Sequence, residues 1–261
     1  MRYFIVLITA LIMQSTHAAS IEIESYLANS GAFEALIKKE NVTGKLPRIK
    51  NKTTADLLEK LSKDQSALTA KKYTLNSFGD LVGVCGKANQ LGMTYMLHGM
   101  ASVIKKSDSP KVTQLKVSTL MAENSIKYQD ELTVFYPFLV ECLAIQSTLV
   151  EPFWASLPPK QRTQVRVGGV NKMRSGTLQL YSGVLMSLGD KALNASFKDP
   201  LLESAIKAAP AMASILPIAS RQAILTLLSG YGKTASKTYR EKFKIISDAF
   251  SKKECNIICQ L

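Results

Sequence analysis

Cysteine and histidine limit the chemistry open to this chain, whose 261 residues hold only 4 Cys and 2 His. The histidines are His17 and His98, so a His-rich zinc site or an H-E-x-x-H metalloprotease helix cannot be built. A Ser-His-Asp arrangement would have to use His98, and Ser182-Gly183 lacks the G-x-S-x-G elbow. Cys85 and His98 are thirteen residues apart, which turns them to different sides of an ideal helix. Among the carboxylates Glu141 stands out, because it sits in the apolar run Phe138-Leu139-Val140-Glu141-Cys142-Leu143. Burial raises the pKa of such an acid, although a buried acid more often pairs with a base than acts in catalysis. Val167-Gly168-Gly169-Val170 is not followed by the Gly-Lys-Ser/Thr of a phosphate loop, and Cys255-x3-Cys259 has no companion zinc ligands. No catalytic residue, metal site or cofactor is identified, and the reading leans against an enzyme.

The N-terminus carries an address. Arg2 supplies a positive start, Phe4 to Met13 is apolar, and Thr16-His17-Ala18 ends on small residues at the −3 and −1 positions. This pattern predicts a secretory signal peptide over 1–18, cleaved after Ala18, and a mature chain in the periplasm or outside the cell. The apolar run is about half of the ~20 residues a membrane span needs. Further along, Ala208 to Ile224 comes nearest to a span, and Pro210, Pro217 and Arg221 interrupt it. No stable membrane span is therefore expected. An even number of cysteines in an oxidising compartment predicts two disulfides. The short separation of Cys255 and Cys259 favours Cys85–Cys142 plus a local C-terminal loop; the alternative ties the tail to both inner cysteines.

The elements that must position these residues read as helices. Strand signals are nearly absent, and Ile21-Glu22-Ile23-Glu24 is too short to carry a sheet. Asn51 to Tyr73 puts Leu57, Leu61 and Leu68 on one face, with Thr53 as N-cap. Ser77 and Asp80 predict a helix start running to about Lys106, and Ser109-Pro110 predicts another running towards Thr148 with a break at Pro137. Asp199-Pro200 predicts a short helix ending before Pro210, and Pro217 opens one closed by Gly230 and Gly232. Tyr239, Phe243, Ile246 and Phe250 form one apolar stripe, with Lys237, Arg240 and Lys244 off it. The expected fold is all-α, a disulfide-tied bundle of seven to eight helices. Residues 19–261 form one domain, whose two halves would meet near 151–159.

Glycine supplies a second pattern. Cys85, Gly92 and Gly99 are spaced by seven, as are Gly169, Gly176 and Gly183. Glycine inside a helix costs about 1 kcal/mol relative to alanine, so the spacing predicts close helix packing at Gly92, Gly99, Gly176 and Gly183. A ligand groove is the functional alternative.

Charge is the strongest pointer to a partner. Lys and Arg total 33 against 20 Asp and Glu, a net +13; losing Arg2 with the signal peptide removes one basic and no acidic residue, leaving +12. Basic residues gather around Lys38–Lys52, again at Lys160, Arg162, Arg166, Lys172 and Arg174, and along the C-terminal helix from Lys233 to Lys253. An exported address and the lack of interleaved aromatics argue against nucleic acid. Acidic proteins are the expected partner class, with anionic lipid or an envelope polymer as other candidates. Arginine recognises carboxylates through paired hydrogen bonds, so Arg162, Arg166 and Arg174 are the candidate binding residues, with Trp154 as an apolar anchor. Alternatively, these arginines pair with Glu123, Asp130 or Glu151 inside the bundle. The expected function is non-enzymatic binding of an inhibitor or immunity type; a lipid- or apolar-ligand-binding envelope protein is the alternative.

Overall fold

The structure is a computed structural model and describes residues 20–233 and 235–261. The signal-peptide segment lies outside the described residues. Among those described there is no strand, and eleven α-helices follow one another. They are α1 (Ile21–Asn41), α2 (Lys52–Ala70), α3 (Phe78–Met96), α4 (Met100–Val103), α5 (Pro110–Lys127), α6 (Gln129–Ser156), α7 (Gln164–Gly189), α8 (Ala195–Ile215), α9 (Ile218–Gly232), α10 (Lys237–Ser251) and α11 (Ile257–Gln260). The count exceeds the expected seven to eight, partly because α4 and α11 are single turns and partly because α1 was not anticipated.

The α1 segment opens with Ile-Glu alternation, yet Ile23, Tyr26, Ser30, Phe33 and Ile37 repeat at helical spacing and form its buried face. In α2 the N-cap is Asn51 rather than Thr53: the Asn51 side chain accepts from the backbone N–H of Thr53 and Thr54. The predicted start of α5 holds, with Ser109 accepting from Val112 N and Pro110 in the first turn.

Two expected breaks fall elsewhere. The helix from Pro110 stops at Tyr128 (φ −114°, ψ 20°), and α6 then runs straight through Pro137 and Pro152. Tyr128 is buried, edge-on to Tyr95 at 5.3 Å, and its hydroxyl is hydrogen-bonded to His98 Nδ1 at 3.0 Å. Asn124, one turn before, ties down the carbonyls of Met96 and His98. These anchors redirect the chain, whereas each proline costs one helix hydrogen bond that tertiary packing offsets. Helix α8 likewise passes through Pro200 and Pro210, starting from an Asn194 cap on Phe197 N.

Helices α6 and α8 are the most extensively paired elements. On α6 lie α3 and α2, with α1 against α2 and α3; on α8 lie α7 and α10, with α9 against both. One apolar core runs from Ile23 to Ile258. Contrary to the sequence reading, α6 is long and apolar enough to cross a membrane by length and composition, since Pro137 does not interrupt it. Its residues Leu132, Phe135, Val140 and Cys142 are covered by protein.

The glycine expectation is corrected. A Cβ on Gly92 would make ordinary contact with Phe135 of α6 at 3.5 Å, but one on Gly176 or Gly183 would meet nothing within 4 Å. Gly99 is not within a helix; it turns the chain between α3 and α4 at φ +80°, a left-handed conformation that glycine alone adopts freely. Close approach occurs instead at Gly189, where an added Cβ would lie 2.5 Å from the Tyr231 ring.

Candidate functional site

Of the four candidate binding residues, Arg162 is exposed, Arg166 is half-buried, and Trp154 and Arg174 face inward. Helix α6 ends at Ser156, and a 3-10 turn over Pro159–Gln161 leads into α7. Arg162 reaches back across this turn, donating from Nε to Leu157 O (3.0 Å) and from Nη2 to Ala155 O (3.1 Å). It thereby satisfies carbonyls at the negative end of α6. Arg166 donates to Gln161 Oε1 at 3.1 Å. Between them Val165 is 85% exposed, which leaves an apolar side chain flanked by two cations.

Arg174 and Trp154 point elsewhere. Trp154 is buried in the last turns of α6 and belongs to the core. Arg174 is 7% exposed and donates from Nη1 to Ile258 O (2.6 Å) and Cys259 O (3.2 Å), while Nη2 donates to Asn171 Oδ1. None of the three arginines pairs with Glu123, Asp130 or Glu151. Among the described residues, Lys160, Arg162, Arg166, Lys172 and Arg174 take part in no ion pair at all.

A second basic surface lies between α9 and α10. Phe243, Ile246 and Phe250 are buried, and Tyr239 packs against the core, as the stripe predicted. Lys242 pairs with Glu203, and the Tyr239 hydroxyl donates to Asp199 at 2.5 Å. Burial first, then the Asp199 carboxylate, push the Tyr239 hydroxyl up to about 12. These contacts hold α10 on α8. On its α9 side, α10 leaves a shallow groove of about 280 Å³ floored by Leu225, Leu228 and Phe243 and edged by Arg240 and Lys244. Neither cation has an ion-pair partner among the described residues.

The C-terminal segment is held by two buried guanidinium groups, whose partners are backbone carbonyls far along the chain that no side-chain pattern marks. Arg221, 2% exposed, donates from Nε to Leu216 O (2.9 Å), from Nη1 to Lys252 O (2.6 Å) and from Nη2 to Glu254 O (2.8 Å). With Arg174 it binds carbonyl oxygens on both sides of the loop closed by Cys255 and Cys259. Burial holds both guanidinium groups below the usual arginine range. Cys85–Cys142 and Cys255–Cys259 are the two cysteine pairs at disulfide distance, with Cα separations of 5.8 and 5.4 Å. Beside the second pair, Glu151, Ser214, Lys252, Glu254, Cys255 and Asn256 help line a cleft of about 410 Å³.

The residues considered for catalysis are otherwise engaged. Cys85 is bonded to Cys142, and His98 Nδ1 is hydrogen-bonded to the Tyr128 hydroxyl. Glu141 is half-buried rather than enclosed, and it accepts from Ser204 (2.8 Å) and pairs with Lys207 (3.3 Å). A polar cluster that spacing could not reveal joins distant segments: fully buried Glu131 accepts from Arg48 Nε (3.0 Å) and Ile49 N (2.7 Å). Arg48 also lies 5.0 Å above the Tyr128 ring, and the cluster fastens the 42–51 connection to α6. Among the described residues, no three of His, Cys, Asp and Glu come together as a metal site. Comparison with known proteins finds no matching family model, no matching curated protein and no matching solved structure.

Proposed function

We propose that the chain is an exported, non-enzymatic binding protein that recognises an acidic protein partner through its uncompensated basic surface. The observation that carries this reading is where the positive charge remains unpaired. The Lys160–Arg174 cluster makes no ion pair, and the C-terminal cluster contributes only Lys242 to one. Self-repulsion of such charge destabilises a compact state, so a surface of this kind suits encounter with an opposite charge. Arg162 and Arg166, with exposed Val165 between them, offer carboxylate recognition beside apolar area. This trio takes over the apolar contact first assigned to buried Trp154. Two cysteine pairs and a continuous core tie the scaffold together, which favours a low entropic cost of binding.

The test is capture from the native envelope with the processed chain as bait and an Arg162→Glu/Arg166→Glu variant beside it. An acidic protein retained by the parent, lost with the variant and eluted by moderate salt supports the reading. Equal retention by both, or binding only to phosphatidylglycerol vesicles, overturns it.

A further inference from the structure

The two disulfides occupy different surroundings. Cys85 and Cys142 are 6% and 1% exposed, enclosed between α3 and α6. Cys259 is equally enclosed at 5%, but Cys255 is only half-buried and lines the 410 Å³ cleft with Glu151, Ser214, Lys252 and Asn256. The guanidinium of Arg221 places Nη2 3.6 Å from Cys259 Sγ. All its other hydrogen bonds go to carbonyl oxygens, and it makes no ion pair among the described residues, with Glu151 and Glu254 lining the same cleft. The Cys259 backbone is fixed at both ends: its N–H donates to Asn256 Oδ1 (3.0 Å) and its carbonyl accepts from Arg174 (3.2 Å).

We propose that Cys255–Cys259 is a thiol-exchange site, in which a partner thiolate attacks Cys255 Sγ from the cleft and Cys259 leaves as a thiolate held by Arg221. Half-buried Cys255, which lines the cleft, is the cysteine a nucleophile reaches, and the leaving sulfur is the one beside the cation. A nearby Arg stabilises a thiolate, and a stabilised leaving group departs faster. The attacking sulfur forms a bond to Cys255 as the Cys255–Cys259 bond breaks, and the electron pair moves to Cys259. If the partner carries a second thiol, that thiolate attacks its own sulfur in the mixed disulfide and expels Cys255. The partner then holds a disulfide, having lost two electrons and two protons, and the Cys255/Cys259 pair holds them. The dithiol itself is the reductant. Cys85–Cys142 has no accessible sulfur and stays closed. This inference does not rest on the binding reading above.

The oxidised chain is incubated with cysteamine, as a small thiol, or with a synthetic peptide carrying two cysteines, as a protein thiol. Quenching with N-ethylmaleimide and peptide mass mapping locates the adduct. The expected result is the mixed disulfide on Cys255, a trapped thiol on Cys259, and opening at least ~10-fold faster than at Cys85–Cys142. Turnover of the peptide to its disulfide but slow reaction with cysteamine would assign the site to protein thiols, and the reverse pattern to small ones. In a Cys255→Ser chain, alkylation of Cys259 should titrate below the ordinary thiol value of about 8.5 and shift upward in Arg221→Gln. Adducts on Cys259, both bonds opening together, or Cys259 titrating at or above the ordinary value would overturn the proposal. The mapping uses the unaltered chain, so a poorly folded Arg221 variant does not decide the matter.

Discussion

Replacing Arg221 with Met tests what holds the C-terminal segment down. The side chain is 2% exposed and makes three hydrogen bonds to the carbonyls of Leu216, Lys252 and Glu254. Charged hydrogen bonds are each worth about 1.5–3 kcal/mol, so a naive sum approaches 5–9 kcal/mol. That sum overstates the loss. The guanidinium has no carboxylate partner, and methionine of similar length recovers its desolvation cost, which is several kcal/mol for a buried ion. Lys252 and Glu254 are exposed residues whose carbonyls can bind water once released. Leu216 is fully buried, and its carbonyl at the end of α8 would be left without a donor, at a cost of about 1–3 kcal/mol. The expected loss in global stability is therefore roughly 1–3 kcal/mol, read from urea midpoints at an unchanged slope. Hydrogen exchange should rise mainly over residues 252–261. A loss above ~5 kcal/mol, or unchanged exchange in that segment, would refute this account of Arg221.

The glycines should respond in opposite directions. Gly176→Ala has open space around it inside α7 and should stabilise by up to ~1 kcal/mol, whereas Gly99→Ala should destabilise because its φ is +80°; thermal midpoints decide both. Acid should weaken the fold through His98. Burial, reinforced by the Lys127 ammonium, holds its imidazole below the ordinary value of 6.5, so the neutral form suits the folded state. Its contribution is complete above about pH 6.5 and is lost as pH falls through 6.5 towards the lowered folded-state value. His98→Gln should flatten that part of the stability profile. Glu22, Glu34 and Asp108 are held low by hydrogen bonds and lysine partners, so their losses begin only in the carboxylate range.

What the sequence made legible was local. The Ser109-Pro110 cap and the Tyr239–Phe250 stripe are set by neighbouring residues and appear where expected. The illegible parts depend on distant ones. Tyr128 rather than Pro137 ends a helix because Tyr95, His98 and Asn124 converge on it. Arg174 looks like a surface cation beside Arg166, and only the arrival of Ile258 and Cys259 buries it. Trp154 is near Arg162 in sequence and so suits an apolar anchor beside it, yet the uninterrupted α6 carries it into the core. Heptad glycines resembled a packing seam, but a period of seven shows only that residues share a face, and no neighbour lies near Gly176 or Gly183.

The measurement closest to the central claim is the affinity of the captured acidic partner for the parent chain, for Arg162→Glu/Arg166→Glu and for Arg240→Glu/Lys244→Glu. Titration calorimetry at low and physiological salt, on variants with parental circular dichroism, reads it directly. The Arg162/Arg166 reversal should weaken binding at least ~100-fold at low salt, a loss of about 2.7 kcal/mol, and abolish most of the salt dependence. Parental affinity in the folded Arg162→Glu/Arg166→Glu chain, with the same salt dependence, would contradict the claim, whatever the Arg240→Glu/Lys244→Glu chain does.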